Sequence, residues 1–346
     1  MLAALERYER IAESGGWPVI PPGPTIRPGS DDPRVPLLVE RLAATGDLTS
    51  DAQVDSNAGN ALSNAVLRFQ TRHGLEPDML VGKKTLRAMN VTVAERLSQL
   101  RTNLERIPEV FRDDRTDFLL VNVPAYEAYL VRGGEIVWAE RAIIGEPETK
   151  TPLFESAISH VVLNPTWTVP RKIAIEELVP KIREDPTFLS RGGYELVDTE
   201  GGFAAPADID WANLHENNFP YTLVQGPGPM NELGRIKFLF PNDYGVCMHD
   251  TPSRYLFANS SRALSHGCIR IAQPLELGEH LLEPLGWERG RIDEQIRSGE
   301  TLTIALPSSL PLQVTYLTAR VGTDDTVYFY HDIYGRDIAA EPEKHH

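Results

Sequence analysis

A β-rich stretch begins after Asp117, breaks off near Leu163 and returns at Ile236, which points to one β domain carrying an insertion. Its runs are short, apolar and rich in β-branched and aromatic residues. Before the break they cover Phe118 to Val123, Tyr126 to Val131, Ile136 to Ile144 and Ser159 to Leu163. After it they cover Ile236 to Phe240, Val246 to His249, Leu302 to Leu306, Leu312 to Thr318 and Val327 to Tyr330. The intervening residues hold a helical segment, Ile173 to Ile182, and an irregular part with Trp211, Pro220 and Gly226-Pro227-Gly228-Pro229. An insertion of this size is either a lid or binding loop over a site, or an appended piece without a role in chemistry. Both readings stand at this point.

The first third of the chain has a different texture. Leu62, Ala65, Val66 and Phe69 fall at i, i+3, i+4 and i+7, one apolar stripe on a helix that stops near Gly74. A short helix from about Lys83 carries Leu86 and Met89, and another from about Val93 to Arg106 sets Val93, Leu97, Leu100 and Leu104 on one side. A short helix from Leu5 to Ile11 and a Pro- and Gly-rich stretch over 15–36 precede them. The expected organisation is a lead-in over 1–34, a helical module over 35–92, a linking helix over 93–114, a β domain formed by 115–163 and 230–340, and an insertion over 164–229. The fold class is α+β, mainly β in the larger domain.

With 346 residues and 41% hydrophobic content the chain can bury more than one core. Its 49 acidic against 34 basic residues give a net charge of -15, which repels phosphate backbones, so nucleic acid is excluded as a partner. No apolar run reaches the ~18 residues that a membrane-spanning helix needs. The start, Met1 to Arg7, lacks the basic beginning and long apolar stretch of a secretory signal. The chain is therefore cytoplasmic or trimmed, and His345-His346 fits a tag remnant.

Only two cysteines occur, Cys247 and Cys268, too few for a disulfide framework. With no His/Cys cluster at ligand spacing, neither a metal nor a cofactor is expected. Their value is as thiols. A free thiol near pKa 8.5 is only a few per cent ionised at neutral pH, so catalysis requires a neighbouring base or cation. His249, at the end of an apolar strand upstream of Ser265-His266-Gly267-Cys268-Ile269-Arg270, is the candidate base. Gly267 lets the backbone turn so that the amides of Gly267 and Cys268 can face a developing oxyanion. Arg270 can hold a substrate carboxylate. Singly, each has an ordinary structural explanation, a buried small hydrophobe for a cysteine. The combination points to nucleophilic catalysis.

His249 followed by Ser265-His266-Gly267-Cys268-Ile269-Arg270 closely resembles the signature of YkuD-type L,D-transpeptidases. Segments resembling the larger, YcbB-like members follow in order: Asn164 to Pro170, Phe238 to Asn242, and Asp332 to Asp337. The run from Leu67-Arg68-Phe69-Gln70 through His73-Gly74-Leu75 to Val81 to Leu86 resembles a peptidoglycan-binding domain. One departure is Asp78-Met79, where many such domains have Asp-Gly, which leaves open whether this module binds glycan or only supports its neighbour.

The resemblance implies a β-sandwich catalytic domain with a capping insertion and no cofactor. It implies that Cys268 attacks the amide after the third residue of a tetrapeptide stem and expels D-alanine, with His249 moving the proton. An amine of an acceptor stem then takes the acyl group, giving a 3-3 cross-link. Transfer to water, as an L,D-carboxypeptidase or a hydrolase releasing wall proteins, is the nearest alternative; a catalytically silent wall-binding protein is another. The resemblance further implies carbapenem inhibitors and a periplasmic or cell-envelope location. Asp250 is expected to orient His249 through its backbone carbonyl, its carboxylate pointing to the opposite face. Ser265 and His266 are assigned to shaping the site and contacting substrate, and Trp167 and Tyr221 to capping the donor stem. Cys247, on the face of His249 where the family has an aromatic or apolar residue, is a packing residue or a redox partner of Cys268.

Overall fold

The computed structural model describes residues 1–27, 29–48, 58–111, 115–216 and 218–337; positions 338–340 of the expected β domain, 112–114 of the linking helix and the terminal histidines fall outside them. The helical module is built from α2 (Val35–Ala44), α3 (Ala58–Arg72) and α4 (Lys83–Met89), preceded by α1 (Leu2–Glu13). The stripe Leu62, Ala65, Val66 and Phe69 is buried, with Leu38, Leu42 and Met89 completing the core. Ile20 and Ile26, expected to belong to an irregular lead-in, are buried in the same core, and Ile26 bridges Val81. The apolar side chains between the prolines pull that segment inward, and the local turn signals could not reveal it.

Met79 takes a left-handed backbone, φ +63°. This explains the departure at Asp78-Met79: the turn that glycine would adopt freely is kept, at a cost of about 1 kcal/mol, with the Met79 amide donating to Gln70 Oε1 at 2.9 Å. Thr92 and Glu95 then cap α5 (Val93–Val110) reciprocally. This helix runs past the expected stop near Arg106, through Pro108. From α5, Gln99 Nε2 donates to the carbonyls of Thr318 and Tyr330, and Asn103 Nδ2 donates to Thr318 Oγ1 at 2.7 Å, which docks the helix on the β domain.

The strands are β1 (Phe118–Asn122), β2 (Glu127–Arg132), β3 (Glu135–Gly145) and β4 (Phe154–Leu163). Inside the insertion lie β5 (Trp167–Thr168), β6 (Tyr194–Val197) and β7 (Thr222–Gln225). Then come β8 (Ile236–Leu239), β9 (Met248–His249), β10 (Ala263–Ser265), β11 (Ile269–Ile271), β12 (Leu302–Thr315), β13 (Ala319–Val321) and β14 (Val327–Phe329). Nine of them form one sheet in the order β10-β3-β11-β9-β8-β4-β12-β1-β2, and β2 also pairs with β3. The two layers of the sandwich are thus one ladder folded back on itself. Between them sit Leu119, Val121, Val161, Phe238, Met248, Ile269 and Leu312, all without exposure.

Leu302 to Leu306 and Leu312 to Thr318, expected as separate runs, are one strand with a bulge between Ala305 and Leu310. Pro311 is tolerated because pairing with β1 begins only at Leu312.

The insertion has its own core of Val169, Leu178, Ile182, Leu196 and Leu223. Its helix starts as α6 (Arg171–Ile173), passes through a π turn at Ala174–Leu178 and continues as α7 (Val179–Glu184), with α8 (Phe188–Gly192) following. Pro180 has no N–H for the carbonyl four residues back, and the wider π turn accommodates the loss. Between β11 and β12 two helices, α9 (Pro274–Leu282) and α10 (Arg289–Ser298), cover the core through Leu277, Leu281 and Ile292.

Candidate active site

Sheet alternation builds the site. Met248, Ile269 and Ile271 face the core without exposure, so His249 and Arg270, between or beside them, project from the other face. Parallel pairing sets Met248 opposite Ile269 and His249 opposite Arg270, and β8 brings Lys237 beside His249. Two residues back on each strand, Cys247 and Cys268 meet on that face. Their sulfurs are 3.3 Å apart, and the Cys247 amide donates to Cys268 Sγ at 3.4 Å. Neither is in a disulfide, and both are half-buried.

His249 is buried, with Nδ1 2.5 Å from the Asp250 carbonyl oxygen. A carbonyl only accepts, so the proton sits on Nδ1 and Nε2 is left to face the thiol. The Asp250 carboxylate points elsewhere, as alternation predicts. It accepts from Arg235 Nε and Arg254, both at 2.9 Å, fixing the backbone whose carbonyl holds the imidazole.

A hydrogen bond from Cys247 is the largest influence pulling the Cys268 thiol down to about 4; burial opposes it, and His249 and the Cys247 amide add to it. The same hydrogen bond and burial push the Cys247 thiol well above its usual value. The pair therefore shares its charge unequally, the thiolate on Cys268 and the proton on Cys247. A depressed folded value means that the anion is favoured in the folded state. The attendant stability is complete above the ordinary thiol pKa and is lost as pH falls through the folded one. Alkylation of Cys268 by iodoacetamide is expected to stay fast at pH 6, where an ordinary thiol is below about 1% ionised, and to fall only towards pH 4. Peptide mass spectrometry across pH checks this; a midpoint near 8.5 would contradict it.

The loop from Ser265 to Cys268 is tied from several sides. Ser265 Oγ donates to the Cys268 carbonyl at 2.6 Å and accepts from the Gly267 amide at 3.2 Å. Gly267 has φ +111°, a region that L side chains rarely enter. Thr151 Oγ1 donates to the Gly267 carbonyl at 2.9 Å and accepts from the Gly145 amide at 2.8 Å. Tyr334, far along the chain, donates to the Gly145 carbonyl at 2.6 Å and accepts from the Thr151 amide at 3.1 Å.

Several expectations change against this geometry. Ser265 is 2% exposed and its hydroxyl is bonded within the loop, the arrangement a shaping role needs. The Gly267 amide is occupied by Ser265, which leaves Cys268's own amide as the better oxyanion donor. His266 is exposed and pairs with Glu177 of the insertion, Nε2 to Oε1 at 2.8 Å. Trp167 and Tyr221 are half-buried against the insertion's own core, 6.4 Å from the ring of Tyr194 and 5.9 Å from that of Phe219 respectively. Arg270 Nε is buried with no acceptor among the described residues.

Although the sequence shows no His/Cys cluster at ligand spacing, the fold brings donor atoms of Cys247, His249 and Cys268 within 4.8 Å of one another. Ligand-spacing rules describe local loops, whereas these residues meet through strand register. Sequence reasoning missed Thr151, Glu177 and Tyr334. The signal for Tyr334 was present, since it lies in the family-like segment Asp332 to Asp337.

Comparison with known proteins agrees with this architecture. Residues 116–292 match the YkuD family, described as the L,D-transpeptidase catalytic domain, and residues 31–89 match a peptidoglycan binding domain family. The chain belongs to the YkuD L,D-transpeptidase family, a family of transferase or peptidase-type enzymes. A Haemophilus influenzae protein named as an L,D-transpeptidase is 33% identical over 253 residues, 73% of this chain and 50% of the relative; the chain thus spans about half that relative's length. An L,D-transpeptidase structure from Mycobacterium smegmatis aligns over 58% of each chain at 15% identity and TM-score 0.28. One from Xylanimonas cellulosilytica covers 85% of this chain and all of its own at 16% identity and TM-score 0.27. Membership rests on the family match and the curated relative. No helix among the described residues is long and apolar enough to cross a membrane.

Proposed function

We propose that the protein is a peptidoglycan L,D-transpeptidase that forms 3-3 cross-links through a thioester on Cys268. The observation that carries this reading is the Cys268 sulfur held by the Cys247 amide at 3.4 Å beside an imidazole whose tautomer is set by Asp250. His249 Nε2 takes the proton of the Cys268 thiol and becomes imidazolium as the sulfur attacks the carbonyl after the third residue of a donor stem, forming a carbon–sulfur bond and a tetrahedral oxyanion opposite the Cys268 amide. Collapse breaks the carbon–nitrogen bond, and the imidazolium of His249 protonates the departing D-alanine amine. An acceptor side-chain amine then gives its proton to His249 and attacks the thioester; a new amide forms and the thiolate is restored. The unpaired Nε of Arg270 suits a carboxylate of the donor stem. The Glu177 contact with His266 ties the insertion to the nucleophile's loop and supports a capping role. The matched peptidoglycan-binding family supports a cell-envelope setting; carbapenem-type β-lactams, whose strained carbonyl a thiolate can open, are the acylating inhibitors that fit this chemistry.

Incubating the protein with purified tetrapeptide sacculi and digesting them for mass spectrometry tests the acceptor. Dimers linked 3-3 with release of D-alanine are the expected result. Tripeptides without such dimers would assign the acyl group to water, and neither product would overturn the reading.

A further inference from the structure

We propose that Cys247, His249 and Cys268 form a binding site for a zinc-class divalent cation, and that its occupation switches off acylation of Cys268. Only the switching depends on Cys268 being the nucleophile; the cation site stands on its own geometry.

The two sulfurs are 3.3 Å apart and the three donor atoms lie within 4.8 Å. A tetrahedral zinc ion with sulfur at ~2.3 Å and nitrogen at ~2.0 Å needs donors about 3.5–3.8 Å apart. Side-chain adjustments of about an ångström therefore suffice, on strands whose register is fixed by the ladder.

The surroundings are those of a metal ligand set. His249 donates Nδ1–H to the Asp250 carbonyl, leaving Nε2 as the free donor, and the Asp250 carboxylate is itself held by Arg235 and Arg254. A ligating imidazole almost always has such a carbonyl or carboxylate partner on its other nitrogen. Two thiolates and an imidazole select a soft or borderline cation over magnesium or calcium, which prefer oxygen. Binding takes the proton remaining on Cys247 into solvent and leaves two thiolates against a doubly positive ion. The centre is thus neutral and adds no charge beside Lys237 and Arg270. Three protein ligands leave the fourth position to water. The single lone pair of His249 Nε2 is then taken by the metal and cannot move a proton, and the negative charge of Cys268 is drawn into the metal–sulfur bond, which lowers its nucleophilicity. Cys247, which the transpeptidation steps do not use, gains a purpose as the third ligand.

The full chain, with both thiols first counted as reduced, is titrated with Zn2+ against a chromophoric chelator. One equivalent is expected to bind, and excess Mg2+ is expected not to displace it. Cys247→Ser and His249→Gln should each weaken binding by at least tenfold, as should Cys268→Ser, with unchanged circular dichroism. Co2+ in place of Zn2+ should give a thiolate charge-transfer band that Cys247→Ser diminishes. Acylation of the wild type by a carbapenem, followed by intact mass, should slow with bound Zn2+ and recover on adding a chelator. No uptake by the reduced wild type, or equal uptake by Cys247→Ser, overturns the site. Uptake without acylation of the metal-free protein would instead overturn the function proposed above, so the two can fail separately.

Discussion

On the proposed function, Cys268→Ala is expected to lower acylation and transpeptidation by at least about 10,000-fold, because removing the proposed nucleophile leaves only binding and oxyanion stabilisation. The cleanest reading is intact mass after carbapenem exposure: an adduct on the wild type and none on Cys268→Ala. Fold should survive, since the side chain is half-buried and the loop is held by Ser265, Thr151 and Tyr334 rather than by sulfur. Cys247→Ala separates the two thiols. It should still acquire the adduct, but its Cys268 labelling should shift to higher pH, because the hydrogen bond that most lowers that thiol is gone. An adduct persisting on Cys268→Ala would remove Cys268 from the mechanism.

The largest stability effect is expected at Gly145. A Cβ there would lie 2.0 Å from the Thr149 carbonyl oxygen and 2.7 Å from the Thr151 amide nitrogen. Both are backbone atoms that cannot rotate away, so Gly145→Ala must force the 146–151 turn outward and break the Thr151 link to Gly267. A loss of about 3 kcal/mol or more follows from overpacking of this kind. Gly290→Ala, where nothing lies within 4 Å of the added carbon, is the control. It should be neutral or stabilising by less than about 1 kcal/mol, as alanine suits a helix better. Urea unfolding of both variants decides the matter; equal midpoints would show that the turn yields easily.

The strands flanking the insertion were legible because their apolar runs extend over four or more residues, and the candidate nucleophile was legible because glycine, cysteine and arginine sit in a long local motif. The three-residue strands Ala263–Ser265 and Ile269–Ile271 were not, since so short a run carries no period. The pairing of β2 with β3 is a hairpin that Gly133-Gly134 marks locally, whereas the pairing of β3 with β10 and β11, which closes the sheet, is a matter of register and leaves no local trace. Cys247 was placed on the face of His249 by alternation alone, yet its contact with Cys268 needed the parallel pairing of β9 with β11. Thr151 and Tyr334 reach the loop through their hydroxyls, but the partners are backbone groups, which any sequence supplies, so no partner residue announces the contact and only the family-like segment marked Tyr334. Trp167 and Tyr221, read from the sequence as caps on a donor stem, are half-buried against the insertion's own core, a packing that local sequence does not reveal.

The brace of Tyr334 on Gly145 and Thr151 joins positions separated by more than 180 residues. During synthesis from the N-terminal end, Cys268 and His249 emerge well before the tyrosine that completes their scaffold. A contact so distant in sequence forms late. The loop bearing the thiol thus receives its final restraint only when the β domain has closed around it, and a chain stopped short of Tyr334 would lack that restraint. On the proposed function, competence at Cys268 would then be a mark of a complete β domain.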